Sequence, residues 1–144
     1  MKSKLKIAGG LVLSLLFFYL TCFYYVKPQS MDITWNPFTG ELKADTVPGY
    51  YCAAPWVMAT RLDLRPARVC ITTTANSYSC KLVMFNPSGW MEFVRVQGFQ
   101  YYWWKNRISF NLGYSDEYRG FRDILRGYAY GNKDYDFIII KNEL

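Results

Sequence analysis

Few side chains in this chain could carry out catalysis. The sequence contains no histidine, which excludes Ser-His and Cys-His nucleophile pairs, histidine general bases and the common mixed zinc sites. Carboxylates occur, but none belongs to a metal-binding or catalytic motif, and we would assign no role to Asp63, Asp116, Glu117 or Asp123. The sequence therefore predicts a protein that is not an enzyme, with no catalytic residues, no metal site and no cofactor.

Four cysteines are the other reactive groups. Cys22 lies in an apolar N-terminal stretch, and Cys52, Cys70 and Cys80 follow it. No Cys-x-x-Cys spacing occurs, so neither a zinc nor a redox centre is indicated. In an oxidising compartment two of the last three cysteines could form a disulfide. Cys70–Cys80 would close a short hairpin loop, pairing of Cys52 with either is equally compatible, and three buried thiols are the alternative.

An aromatic and basic run, YYWWKNR, occupies residues 101–107. Tyr, Trp and Arg are enriched at binding hot spots, so Tyr101, Tyr102, Trp103, Trp104 and Arg107 are candidates for a surface that contacts a partner or lipid headgroups. The alternative is a strand whose rings pack inside. Because consecutive residues of a strand point to opposite faces, the strand predicts one exposed Tyr-Trp pair, either 101 with 103 or 102 with 104.

A second candidate surface comes from the segment SDEYRGFRDILRGYAY. With successive residues placed about 100° apart, five apolar side chains fall in one sector and three arginines fall on another side. This pattern predicts one amphipathic helix near residues 115–130. Arg119, Arg122 and Arg126 could contact an acidic partner or anionic lipids, although a solvated helix face with an Arg119–Asp123 pair explains them equally well.

The chain that must position these groups begins with an uncharged stretch, Ile7–Val26, with three lysines before it and one after. A helix of this length reaches roughly 30 Å, the thickness of a bilayer core, so residues 1–27 predict a transmembrane signal-anchor. The lysine bias places the N terminus in the cytoplasm and the following domain on the outer, periplasmic or extracytoplasmic side. A cleaved signal and lipidation at Cys22 are the alternatives, but no A-x-A-like cleavage site is present.

Residues 28–144 predict a single α+β domain that is small and rich in strands. Aromatic residues make up 19% of the chain, which favours a packed core over disorder. Without the three N-terminal lysines, 14 basic residues face 11 acidic ones, a balance that does not indicate a nucleic-acid partner. Alternating or β-branched runs predict the strands Met31–Trp35, Glu41–Thr46, Trp56–Leu64, Arg68–Thr74, Lys81–Phe85, Met91–Val96, Phe99–Trp104, Arg107–Leu112 and Asp136–Lys141.

Three short motifs follow one another within residues 40–71: PGY at 48–50, APWV at 54–57 and RLDLR at 61–65. This ordered set resembles the proline-glycine turn, the Pro-Phe-like step and the aspartate-x-arginine strand that open the SPFH domain of stomatin, prohibitin and flotillin. The resemblance implies an SPFH-like start of the domain, a membrane-scaffold role and no active site. The chain departs from that family because it has no sustained heptad pattern for the extended coiled coil.

These observations predict a non-enzymatic single-pass membrane protein that acts as a scaffold or modulator through protein–protein or protein–lipid contacts. The expected partners are the lipid bilayer, an unidentified membrane or envelope protein, and further copies of the chain. The alternative is an envelope-exposed binding or inhibitory module of a different fold, which would act on another membrane protein through its aromatic and arginine surface.

Overall fold

The computed structural model describes residues 2–75, 77–110 and 117–143, without the side chains at positions 2, 3, 5, 117–119, 142 and 143. These residues form an α+β fold in which strands predominate. Two single-turn 3-10 helices, Pro87–Gly89 and Trp103–Lys105, lie between the longer elements. Those elements are α1 (Lys2–Cys22), β1 (Phe23–Val26), β2 (Ser30–Trp35), β3 (Leu42–Asp45), β4 (Gly49–Cys52), β5 (Met58–Asp63), β6 (Ala67–Thr74), β7 (Ser77–Phe85), α2 (Trp90–Gln97), β8 (Gln100–Tyr102), β9 (Arg107–Ser109), α3 (Glu117–Ala129) and β10 (Ile138–Glu143).

The largest sheet has five strands in the order β3-β2-β5-β9-β8. Neighbouring strands within this sheet are antiparallel, except for β5 and β9, which run parallel. Side chains alternate between the two faces of a strand, and on β2 the apolar residues Met31 and Ile33 share one face with Met58 and Leu62 of β5. All four are buried, so this face of the sheet forms one wall of the core.

Two smaller antiparallel sheets complete the fold. One has the order β10-β7-β6, and the other pairs β1 with β4. Helices α2 and α3 and the strands β7 and β10 supply the other side of the core. Phe85, Phe93 and Phe137 are fully buried there and contact one another through their rings. Gly89 allows the turn before α2 to approach β10 closely, because a Cβ at this position would lie 2.5 Å from the backbone nitrogen of Phe137.

The N-terminal helix differs from the predicted one at both ends. It ends at Cys22, and the last four residues of the predicted span form β1, which pairs with β4. Its first turns contain the N-terminal lysines, so its uncharged part, Ile7–Cys22, reaches about 24 Å, short of the roughly 30 Å of a bilayer core. Every residue from Lys6 to Thr21 is exposed.

Among the described residues, no helix has both the length and the apolar character needed to cross a membrane. This finding contradicts the predicted transmembrane signal-anchor over residues 1–27. It also contradicts the single-pass topology and the placement of the following domain on the outer side of a membrane. The predicted fold class is therefore wrong in its transmembrane helix.

The predicted strand Met91–Val96 is also wrong, because this segment lies within the helix α2. Phe93 and Val94 are buried and Met91 and Val96 are exposed, a spacing that matches a helix face rather than two-residue alternation. The preceding turn favours a helix, since Asn86 accepts a hydrogen bond from the Ser88 backbone N–H. Local turn chemistry therefore outweighs the β propensity of the apolar residues.

Candidate functional site

One end of the five-stranded sheet collects loops from three parts of the chain. β2 ends at Trp35, which pairs with Leu42 at the start of β3 and with Met58 at the start of β5. The turn between β2 and β3 therefore lies at the end of the sheet where the loop before β5 enters it. Phe38 in that turn and Trp56 in that loop are in edge-to-face contact, with ring centroids 5.7 Å apart.

The turn between β8 and β9 lies at the same end of the sheet. β8 ends at Tyr102, which pairs with Arg107 at the start of β9, and Arg107 pairs with Ala59 near the start of β5. The 3-10 helix Trp103–Lys105 makes this turn. Asn106 follows it with a left-handed φ of 49°, a conformation that asparagine tolerates better than most residues.

We call the exposed rings at this end the aromatic rim. They are Phe38 (78% exposed), Trp56 (48%), Tyr101 (56%), Trp103 (73%) and Trp104 (71%). Five strands spaced about 4.8 Å apart make the edge that supports them roughly 19 Å wide. Two partly buried rings pack against the rim. The ring centroids of Trp35 and Tyr101 are 5.1 Å apart, and those of Tyr102 and Trp104 are 5.4 Å apart.

One of the two expected Tyr-Trp pairs, Tyr101 with Trp103, is exposed, but Trp104 is exposed as well, which strand alternation did not predict. The strand ends at Tyr102, so Trp103 and Trp104 do not alternate, and both are exposed. Tyr101 pairs with the buried Ile108 and so points to the core face, but it remains exposed at the end of the edge strand β8. Only Tyr102 of the four rings is partly covered. The alternative in which these rings pack inside is therefore wrong.

The second predicted surface lies elsewhere in the fold. Arg122 and Arg126 are exposed on α3, and they line a groove of about 240 Å³ with Arg68 of β6. Arg126 forms an ion pair with Asp123 at 3.3 Å. The Arg119 side chain, with its predicted Asp123 pair, lies outside the described residues. We call this feature, lined by Arg68, Val69, Cys70, Arg122, Asp123 and Arg126, the arginine groove.

The cysteine alternatives that the sequence left open are resolved. Cys70 and Cys80 lie opposite each other on β6 and β7 and form a disulfide. Cys52 is free and exposed, and Cys22 is free and buried. The disulfide joins the two strands of the β6–β7 hairpin at the arginine groove, since Cys70 also lines that groove.

A charged cluster that sequence analysis did not identify joins β1 to the back of the five-stranded sheet. Asp32 of β2 has Arg61 of β5 on one side and Asp45 of β3 on the other. Arg61 donates two hydrogen bonds to the Asp32 carboxylate, at 2.8 and 2.9 Å, and another to the Tyr25 backbone oxygen at 2.6 Å. The Tyr24 hydroxyl donates a hydrogen bond to Oδ2 of Asp45, with 2.5 Å between the two oxygens. We call this cluster, which consists of Tyr24, Tyr25, Asp32, Asp45 and Arg61, the β1 latch.

The environment of the β1 latch favours the protonation states that its hydrogen bonds need. Burial, then the hydrogen bond to Asp45, raises the pKa of Tyr24, so its hydroxyl remains a donor. The hydrogen bonds to Asp32 raise the pKa of Arg61 although partial burial opposes this. Asp32 stands in the apolar strand Met31–Trp35, and a charge among such residues was the sequence signal for the cluster. Arg61, the partner of Asp32, lies 29 residues away in the sequence, so no local pattern could predict that the two residues pair.

The other cavities lined by described residues show no recognisable catalytic arrangement. A cavity of about 490 Å³ lies between the end of α2 and the end of α3, where the Tyr128 hydroxyl donates to Gln97 at 2.6 Å. Burial raises the pKa of Tyr128, which keeps this hydroxyl protonated. Among the described residues, no group of three or more Cys, Asp and Glu side chains is placed to hold a metal ion.

Comparisons of the chain with protein-family models, with curated proteins and with solved structures find no match. The segment that resembles the SPFH domain, residues 40–71, includes β3, β4, β5 and the first part of β6. Its PGY motif begins β4 and its RLDLR motif covers the end of β5. Nothing in these comparisons tests the resemblance, which stays a prediction.

Proposed function

We propose that this protein is a non-enzymatic binding module that contacts a partner protein through its aromatic rim. The observation that carries the proposal is the convergence of five exposed rings at one end of a sheet, four from three loops and Tyr101 from the edge strand β8. Apolar rings exposed as a group mark interaction sites more often than single exposed apolar residues do. Tyr and Trp are also the side chains that most often dominate binding energy.

A protein partner fits the composition of this surface better than a lipid surface does. Charged residues of both signs border the rings, with Glu41 and Lys43 forming an ion pair beside the turn that holds Phe38 and with Lys105 beside Trp104. An apolar centre bordered by charged and polar groups is the usual composition of a protein–protein interface. A surface built for anionic headgroups would exclude the acidic side chain.

Three carboxylates of the five-stranded sheet are already bound within the fold, which supports a non-enzymatic role. Asp32 is bound by Arg61, Asp45 by Tyr24 and Asp63 by Arg65. A general acid or base must reach the substrate proton directly or through one water, and these groups already hold protein partners within the fold. The rim itself contributes rings, which suit contact rather than proton transfer.

The test uses the full chain, tagged, and the double variant Trp103→Ala/Trp104→Ala, with Met91→Ala as the control. Met91 is also an exposed apolar residue, at 51%, but it lies on α2 outside the rim. We expect a defined protein to bind the wild type and the control in fixed stoichiometry after purification of both proteins. We expect the double variant to lose at least about tenfold in affinity while its melting temperature changes little.

Two results would contradict this function. A double variant that binds the purified partner as tightly as the wild type would show that the rim is not the binding surface. Rim-dependent binding to lipid vesicles, or rim-dependent self-association without a second protein, would replace the proposed partner with a bilayer or another copy of the chain.

A further inference from the structure

The outer edge of β6 is open along the described part of the fold. In the sheet order β10-β7-β6, this strand pairs with β7 alone among the described residues. The Cα atoms of Cys70 and Cys80 are 4.1 Å apart, the short separation of a pair whose backbone groups point away from each other. The backbone N–H and C=O groups of Cys70, and by alternation those of Arg68 and Thr72, therefore point away from β7.

The arginine groove lies along this edge. Arg68, Arg122 and Arg126 contribute three positive charges to its lining, and Asp123 contributes one negative charge. The ion pair between Asp123 and Arg126 leaves the groove with a net positive charge. Arg68 also approaches the disulfide, with its Nη2 3.5 Å from the sulfur of Cys80. The open strand edge and the guanidinium groups of α3 thus border the same groove, while the Arg68 side chain lies on the face of the sheet opposite to Val69.

We propose that the β6 edge and the arginine groove together bind an acidic peptide in extended conformation, which adds to the sheet as a fourth strand. Outward N–H and C=O groups would supply the main-chain hydrogen bonds that give affinity in strand addition. Guanidinium groups form paired hydrogen bonds with carboxylates, so the arginines select for acidic side chains. This surface is separate from the aromatic rim and does not depend on the function proposed for it.

The geometry defines the pattern of the peptide. Side chains of an added strand alternate between the two faces, and only one face meets the arginines of α3. Acidic residues are therefore needed at every second position. The Cys70–Cys80 disulfide fixes β6 against β7 beside the groove, and an edge held in its bound conformation loses less entropy on binding.

The first test measures binding of a fluorescent peptide, as long as β6, in which Glu alternates with Thr. The matched peptide has Gln in place of Glu. By fluorescence anisotropy with the full chain, we expect the Glu peptide to bind and its affinity to fall as salt rises, because exposed charges are screened. We expect Arg122→Gln/Arg126→Gln to weaken binding at least about tenfold, and the control Arg95→Gln on α2 to leave it unchanged. Equal binding of the two peptides, or no effect of the arginine variant, would overturn the proposal.

The second test separates strand addition from attraction between charges. A Glu–Thr peptide with N-methyl groups on alternate backbone nitrogens keeps its charge but loses donors, so we expect its affinity for the wild-type chain to fall at least about tenfold. In the chain, Thr72→Pro removes an outward N–H and should weaken binding of the Glu–Thr peptide. The control Thr72→Val keeps this N–H and should bind the peptide as the wild type does. Unchanged binding of the N-methylated peptide would overturn strand addition. Arginine-dependent binding to vesicles containing anionic lipid, with no binding of the peptide, would overturn the choice of a peptide.

Discussion

The β1 latch and the aromatic rim both contain aromatic residues, but the rings have opposite surroundings. Rings of the strand pair β1–β4 contact each other across the ladder, Tyr24 with Tyr51 and Tyr25 with Tyr50, and the Tyr24 hydroxyl binds Asp45. In the rim, Trp103 and Trp104 project from a 3-10 helix after β8 has ended, and both are exposed. Tyr24 in the ladder has both a cross-strand ring and a hydrogen-bonded carboxylate as partners, whereas Trp103 and Trp104, just beyond a ladder, are each more than 70% exposed.

The largest expected effect comes from removing the guanidinium of the β1 latch. Arg61→Leu leaves the Asp32 carboxylate, whose side chain is 5% exposed, without its charged partner. We expect the free energy of unfolding to fall by about 3 to 5 kcal/mol, because a buried charge is then uncompensated. Chemical denaturation of the wild type and the variant measures this difference.

Arg65→Leu is the matched control for that experiment. Arg65 binds Asp63 at the end of the same strand, but its own side chain is 61% exposed, so we expect a loss of less than about 1 kcal/mol. Equal losses in the two variants would show that the β1 latch is no more stabilising than a surface ion pair.

A smaller effect is expected at the tyrosine of the β1 latch. Tyr24→Phe keeps the ring contact with Tyr51 and removes the hydrogen bond to Asp45. A hydrogen bond to a charged group contributes about 1.5 to 3 kcal/mol, and partial exposure places this one near the lower value. Tyr78→Phe, at an exposed ring on β7, should change the free energy of unfolding by less than about 0.5 kcal/mol. Denaturation curves that do not distinguish the two variants would contradict the assignment.

The pH dependence of stability gives a finer measure of the exposed ion pair. Burial alone would raise the pKa of Asp63, but the hydrogen bonds and charge of Arg65 outweigh it and lower the pKa. A carboxyl with a lowered pKa in the folded state stabilises the fold above its unfolded pKa of about 3.9, and this contribution is lost as pH falls through the folded value. Asp63→Asn should therefore be less stable than the wild type near neutral pH, by less than about 1 kcal/mol, and the difference should vanish in acid. A difference that persists at low pH would show that the ion pair is not its source.

The smallest effect on stability is expected in the rim. Trp103→Ala/Trp104→Ala removes two rings that are each more than 70% exposed. Exposed substitutions away from special features usually change stability by about 0.5 kcal/mol or less. A loss of several kcal/mol in thermal or chemical unfolding would mean that these rings support the fold, and the rim would then resemble the β1 latch.

Local patterns were sufficient for some elements of this fold. The alternating run Trp56–Leu64 predicted β5, and the β-branched run Arg68–Thr74 predicted β6, as the structure confirms. The segment Met91–Val96 was misread because its apolar residues also suit a strand, and its helical state depends on the turn before it. Ile7–Val26 was misread because a count of uncharged residues cannot show that the last four pair with β4.

The sites depended on contacts between distant parts of the chain. Composition alone singled out the rings at 101–104, but their exposure follows from the point at which β8 ends. Phe38 and Trp56 join them through strand register, which no local pattern encodes. The pairing of Asp32 with Arg61 depends on the same register. Candidate site residues could therefore be predicted where they cluster in the sequence. They could not be predicted where the sheet brings distant residues together.

Site-specific photo-cross-linking tests the central claim most directly. A photoreactive phenylalanine analogue at position 104 lies in the rim, and the same analogue at position 91 replaces an exposed residue of α2 outside the rim. After irradiation in the native cell, we expect one protein adduct of defined mass from position 104, none from position 91, and loss of the adduct when Trp103→Ala is added. Equal adducts from the two positions, or an adduct that persists in the Trp103→Ala chain, would contradict the rim as the binding surface.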